Sequence, residues 1–152
     1  MGHSIQGLIF SEPRQRTALK NIKEVHICSL NQNKYLIPIT DELFNKLREL
    51  YPSEKTDPYS EFWKLSGSLE IFSKTLSDEG SVMYVETEYF GGVGEQAAIV
   101  WKDSQLLMPP KKADSGPINE GLQLIGVVCE PDFDEFDTVG LGHHRSNEDW
   151  VE

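Results

Sequence analysis

Apolar residues along this chain recur at two periods, near two and near 3.6 residues, and the places where the period changes divide it into elements. Residues 5–10 (IQGLIF) read as a short strand closed by Pro13, and the polar, basic stretch 14–24 suits a short helix. Residues 24–30 (EVHICSL) and 34–39 (KYLIPI) are β-type runs joined by Asn31-Gln32-Asn33. Asparagine tolerates the left-handed backbone of tight turns, so the two runs are expected to form a hairpin. Pro38 has no N–H to give a ladder and points to an edge position.

Thr40 then reads as a helix N-cap, with Asp41 and Glu42 in the first turn, where acids suit the positive end of the dipole. Leu43, Phe44, Leu47, Leu50 and Tyr51 share its apolar face, and Pro52 ends it. Asp57-Pro58 offers a second start signal. The stripe Phe62, Leu65, Leu69, Phe72, Leu76 predicts a core-facing helix running to about Ser77, with Gly80 as its stop.

Residues 82–90 (VMYVETEYF) alternate as a strand, with Val82, Tyr84, Glu86 and Glu88 on one side. Residues 96–102 form another, and after Asp103-Ser104 comes a short run from Gln105 to Met108, giving an antiparallel meander. Residues 108–116 read as a loop. Pro117 opens a helix with Ile118, Leu122 and Ile125 inward and Gly126 at its C-cap. Beyond residue 130 the chain is acidic and turn-rich, with Phe133, Phe136, Val139, Leu141 and Trp150 as docking anchors. Strands and helices come in blocks. The expected fold is α+β: an antiparallel or mixed sheet of about five or six strands with helices packed mainly on one face. Residues 1–152 form one domain, and residues 130–152 an acidic docked segment.

Composition supports folding and narrows the partners. At 152 residues and 38% hydrophobic content, the chain can bury roughly two-thirds of its unfolded surface. Its 25 acidic and 14 basic residues give a net charge of −11. That balance disfavours nucleic acid and anionic membrane, which need local positive potential; a basic protein partner or simple solubility fits it better. Residues 130–152 hold eight of the acids and one base, Arg145, so most of the field arises there. Cys28 and Cys129 both lie in apolar runs, and the sequence leaves open whether they pair. The N-terminal residues lack a signal peptide's order, and no apolar run approaches the ~20 residues of a membrane helix, so a cytoplasmic location is expected.

Candidate chemistry is sparse. Gly91-Gly92-Val93-Gly94-Glu95-Gln96-Ala97 contains G-x-G-x-x-A, but a dinucleotide site needs a helix to follow, and AAIVWK reads as strand. A wide hairpin turn or bulge explains these glycines better. An EF-hand counted from Asp132 fails, because Phe136, Asp137 and His143 fall where an oxygen ligand, glycine and glutamate are required. His143-His144 has no CxxC or HExxH companion, and His26 reads as structural, so no metal or cofactor is expected. Glu86 and Glu88 share a strand face, where paired carboxylates could serve acid/base work. No Ser/His/Asp or Cys/His set can be assembled from spacing.

The stretches ETEYFGGVGEQAAIVW (86–101), INEGLQLIG (118–126) and DEFDTVGLGHHR (134–145) resemble a group of small bacterial proteins of unassigned activity. Some of these look like immunity proteins, which neutralise a secreted toxin domain. The resemblance covers roughly residues 82–145 and carries no catalytic motif. It implies a bacterial cytoplasmic inhibitor that acts by binding.

Two functional expectations follow. The first is a non-enzymatic protein-binding module that meets a basic toxin or other partner through Asp132, Phe133, Asp134, Glu135, Phe136 and Asp137, with Tyr89 and Phe90. The second is a small enzyme or ligand-binding domain that uses Glu86 and Glu88 with Gly92 and Gly94, and it requires a concave pocket beside those carboxylates.

Overall fold

A computed structural model describes residues 2–151. Among them, seven strands pair antiparallel in one open sheet: β1 (Gly2–His3), β2 (Gln6–Phe10), β3 (Cys28–Ser29), β4 (Tyr35–Pro38), β5 (Val82–Phe90), β6 (Val93–Lys102) and β7 (Gln105–Ala113). The order is β3-β4-β2-β5-β6-β7, and β1 prolongs β2 along β5 in the same register. Six α-helices accompany the sheet: α1 (Pro13–Ala18), α2 (Asp41–Leu50), α3 (Gly67–Leu76), α4 (Pro117–Leu124), α5 (Glu135–Val139) and α6 (Asn147–Val151). The fold is α+β.

Helices cover both faces of the sheet, with the larger layer on one. Leu8, Phe10, Ile37, Tyr84, Ile99 and Trp101 meet α2 and α3 through Leu43, Leu47, Leu69 and Phe72. Ile5, Ile9, Met83, Val85, Ala98 and Val100 form the other face and meet Ile118 and Leu122 of α4 and Val139 of α5. The strands carry the reason. Val82-Met83-Tyr84-Val85 and Ala97–Trp101 are apolar at successive positions, a pattern that suits strands buried on both faces. That makes a second apolar layer necessary, so a helix layer on one face alone would leave half of each strand uncovered.

Several elements begin or end away from their expected places. The hairpin at Asn31-Gln32-Asn33 forms, with Gln32 and Asn33 at positive φ, but its first strand shrinks to Cys28–Ser29. Pro38 pairs with Gly7 on one side, and β3 ends before reaching it on the other, so its missing donor faces an open edge. Thr40 does cap α2, its hydroxyl accepting from the Leu43 amide, while Leu50 turns outward. The run expected to be a loop after Met108 instead continues β7 through Pro109-Pro110 to Ala113. Register shifts opposite Ala98–Trp101 take up the two prolines on this edge strand.

The helix expected from Asp57 starts only at Gly67, with Ser66 as N-cap accepting from the Leu69 amide. Phe62 and Leu65 still enter the core, but from irregular chain rather than from a helical face. The amides of Trp63 and Lys64, which a longer helix would engage, are bound instead by the Glu86 carboxylate.

The C-terminal segment is docked by polar bonds as well as by its apolar anchors. Asn147, nearly inaccessible, accepts from the Gln6 amide and donates to the Gln6 side chain and the Ile39 carbonyl. Asn31 binds the carbonyls of Thr138 and Val139, and the Ser4 amide donates to the Arg145 carbonyl. Cys28 and Cys129 are both free thiols: Cys28 donates to the Trp150 carbonyl, and Cys129 to Glu135. Among the described residues, no helix is long and apolar enough to cross a membrane.

Candidate functional site

Alternation along β5 sends Tyr84, Glu86, Glu88 and Phe90 to the face that also carries α2 and α3. Those helices cover Tyr84 but stop short of the β5–β6 hairpin, so the sheet emerges from under its helical layer at Glu86. The chain between α2 and α3 closes the gap from one side. There Phe62 inserts into the core and packs edge-on against Tyr84 at 5.3 Å. Lys64 reaches back to the Ile39 carbonyl at 2.8 Å. Trp63, held between two inward-directed neighbours, is left 66% exposed. The result is a cleft of about 370 Å³ walled by Ser60–Trp63 on one side and by Glu86, Glu88, Gly94, Glu95, Ala97 and Lys112 on the sheet side.

Glu86 holds this architecture together. It is buried, one carboxylate oxygen accepts from the Trp63 amide at 2.9 Å, and the other accepts from the Lys64 amide at 2.9 Å and the Tyr84 hydroxyl at 2.7 Å. Burial pushes its carboxyl above the ordinary range, opposed by those three bonds and by the Lys112 charge. Burial and the Glu86 charge together drive the Tyr84 phenol well up.

The remaining carboxylates of the cleft are differently placed. Glu88 and Glu95 are direct cross-strand partners and both are exposed. Like charges in that relation repel. Glu88 accepts from the Ser4 hydroxyl at 2.9 Å, and Glu95 lies 3.7 Å from the Lys112 ammonium. Glu61 adds a fourth acid to the wall. Beyond them the hairpin tip exposes Phe90 by 80% and Val93 by 79%, a cross-strand pair on the same face.

The tip itself is tight. Gly91 and Gly92 both take positive φ, the pattern of a two-residue type I′ turn, and β6 starts at once at Val93. The expected hairpin turn with glycines at positive φ is present, but it is tight rather than wide. Gly94 serves a different end: a Cβ there would overlap the Glu88 carbonyl oxygen and lie 2.7 Å from the Tyr89 Cα.

The tail residues separate into structural and exposed groups. Asp134 caps α5, accepting from the Asp137 amide at 2.9 Å, and also accepts from Asn119 at 3.1 Å. Glu135 is buried and accepts from Cys129 at 2.7 Å and Gln123 at 2.8 Å. The thiol bond holds the Glu135 carboxyl below its ordinary range, and the same bond raises the thiol. Phe136 packs into the second core and against the His3 ring at 5.6 Å. Asp132, Phe133 and Asp137 remain at the surface. Tyr89 shares the face of its strand partner His3, and hence of Phe136, whereas Phe90 points to the cleft face. The group Asp132–Asp137, Tyr89 and Phe90 is therefore divided between two sides of the sheet.

Of the alternative set, Glu86, Glu88 and Gly94 line one concavity, as that reading required, while Gly92 stands at the tip. Sequence reasoning missed Trp63, Glu95 and Lys112. The signal for Glu95 was present: a two-residue turn at Gly91-Gly92 fixes the register and places Glu95 opposite Glu88. Trp63 was hidden because the apolar stripe assigned its segment to a helix. Among the described residues, no three His, Cys, Asp or Glu side chains gather to hold a metal ion. Comparison with protein-family models, curated proteins and solved structures finds no match to this chain.

Proposed function

We propose that this chain is a protein-binding module of the immunity type, one that docks a basic partner on the acidic cleft and the β5–β6 hairpin beside it. The observation that carries this reading is the surface composition there. Trp63, Phe90 and Val93 are the most exposed large apolar residues near Glu88 and Glu95: Phe90 and Val93 pair on the cleft face of the hairpin, and Trp63 stands on the opposite wall. Exposed aromatic anchors within a charged rim form the usual composition of a binding hot spot. A cationic partner matches both the local carboxylates and the net charge of −11, which speeds its approach. The exposed tail acids Asp132 and Asp137 add to that long-range field, while Asp134 and Glu135 are engaged within the fold.

The same geometry favours binding over acid/base catalysis. Glu86, the cleft carboxylate with the raised pKa, is buried and already accepts three bonds from donors of its own chain, an arrangement that suits a structural anchor better than a general base open to substrate.

The test is retention of protein from a lysate of the source cells on three immobilised forms: wild type, Glu88→Gln/Glu95→Gln, and Asp132→Asn/Asp137→Asn. A cationic protein should bind wild type and the tail variant, elute with salt, and be lost from the cleft variant. A partner retained on the cleft variant as well as on wild type would overturn the assignment.

A further inference from the structure

The cleft already contains one cation of the chain's own. Lys112 lies opposite Ala97 on the cleft face, and its ammonium stands 3.7 Å from Glu95, a loose ion pair beyond hydrogen-bond reach. Both partners are about half exposed. This single ammonium faces four acids: Glu61, Glu86, Glu88 and Glu95. Glu86 is spent on backbone amides and contributes only its charge. Glu88 and Glu95 face each other across the hairpin, so their repulsion falls when a positive group enters between them. The Trp63 ring, 66% exposed, forms part of the opposite wall.

We infer that the cleft is an arginine pocket: it takes the guanidinium of one arginine side chain of the basic partner, stacked on Trp63 and bound by Glu88 and Glu95. This rests on the protein-binding reading and specifies its central contact. Volume agrees, since 370 Å³ is near the lower limit of ligand pockets, ~300–1,000 Å³, and suits one long side chain better than a large ligand. Chemistry selects arginine over lysine. A planar guanidinium presents N–H donors in a fixed fork, able to serve two carboxylates at once, and its flat face stacks on an indole. An ammonium is a compact point charge, and Lys112 already supplies one. The entering guanidinium replaces that ammonium at Glu95.

The experiment uses the intact chain and three small probes: N-acetyl-arginine amide, N-acetyl-lysine amide and N-acetyl-citrulline amide, the last matching arginine in shape without its charge. Binding is followed by NMR at the Trp63 indole N–H and the Glu88 and Glu95 amides. Arginine amide should saturate with a Kd on the order of 1–10 mM, the strength expected of one charge-assisted fork and one cation–π contact. Glu88→Gln/Glu95→Gln should weaken it by about tenfold or more, and Lys112→Met should tighten it by about threefold, consistent with a competing cation removed. Equal shifts from citrulline amide, equal affinity for lysine amide, or no saturation with arginine amide would each overturn the pocket. If a partner depends on the cleft in the retention assay while arginine amide fails to bind, the arginine pocket falls and the protein-binding reading stands.

Discussion

Glu86→Ala should lower stability by on the order of 3 kcal/mol, read as a fall in the urea midpoint at neutral pH. The substitution leaves three donors without their acceptor: the Trp63 and Lys64 amides and the fully buried Tyr84 hydroxyl. Hydrogen exchange should show the amides of residues 59–66 opening well before the global transition, because the segment loses the anchor that replaces helical bonding there. Tyr84→Phe removes one of those bonds and should cost only about 1 kcal/mol. Glu86→Gln tests the charge. Burial sets the folded pKa of Glu86 above its unfolded value, so the folded chain holds that proton more tightly. The group's contribution to stability is then fully present below the unfolded pKa and is lost as pH rises through the folded one. Glutamine has no such proton. The stability of wild type relative to Glu86→Gln should therefore rise as pH falls through that window, and a gap that is flat or shrinks would contradict the assignment.

The second large effect is expected at Gly94. Its Cα lies so close to β5 that an added methyl group overlaps the Glu88 carbonyl, a backbone atom that cannot move without parting the strands. Gly94→Ala should cost about 2–3 kcal/mol, at the upper range of ordinary overpacking, and should disorder the Glu88–Glu95 and Phe90–Val93 pairs. Gly92→Ala makes the contrast. Nothing lies within 4 Å of that position, and only its positive φ of 79° opposes a side chain. A cost of about 1 kcal/mol is expected there, with the cleft intact. Thermal or urea unfolding of the pair checks the order, and partner retention should fail for Gly94→Ala alone.

The parts of the fold legible in sequence are those governed by local rules. Thr40 as a cap, Asn31-Gln32-Asn33 as a turn and the alternation of Val82–Phe90 depend on neighbours within a few residues, and all three appear. The helix start at residue 57 was misread because Phe62 and Leu65 kept helical spacing. A carboxylate more than twenty residues away, Glu86, claimed the amides between them. No periodicity reports such a contact. The second helical layer was legible in principle, because Ala97-Ala98-Ile99-Val100-Trp101 leaves no polar face for solvent. For the site, the Glu86/Glu88 pair and the glycine turn were visible, but the other wall of the cleft was not. The tail drew attention by its charge, yet two of its acids have work within the fold: exposed Asp134 is an N-cap and buried Glu135 a thiol acceptor.

The most direct measurement is amide chemical-shift mapping of this chain bound to the cationic protein retained on it. Changes concentrated in Ser60–Lys64, Glu88–Glu95 and Lys112, with the Trp63 indole among the largest, are the predicted result. Changes centred on Asp132–Asp137, with the hairpin and Trp63 unmoved, would contradict it.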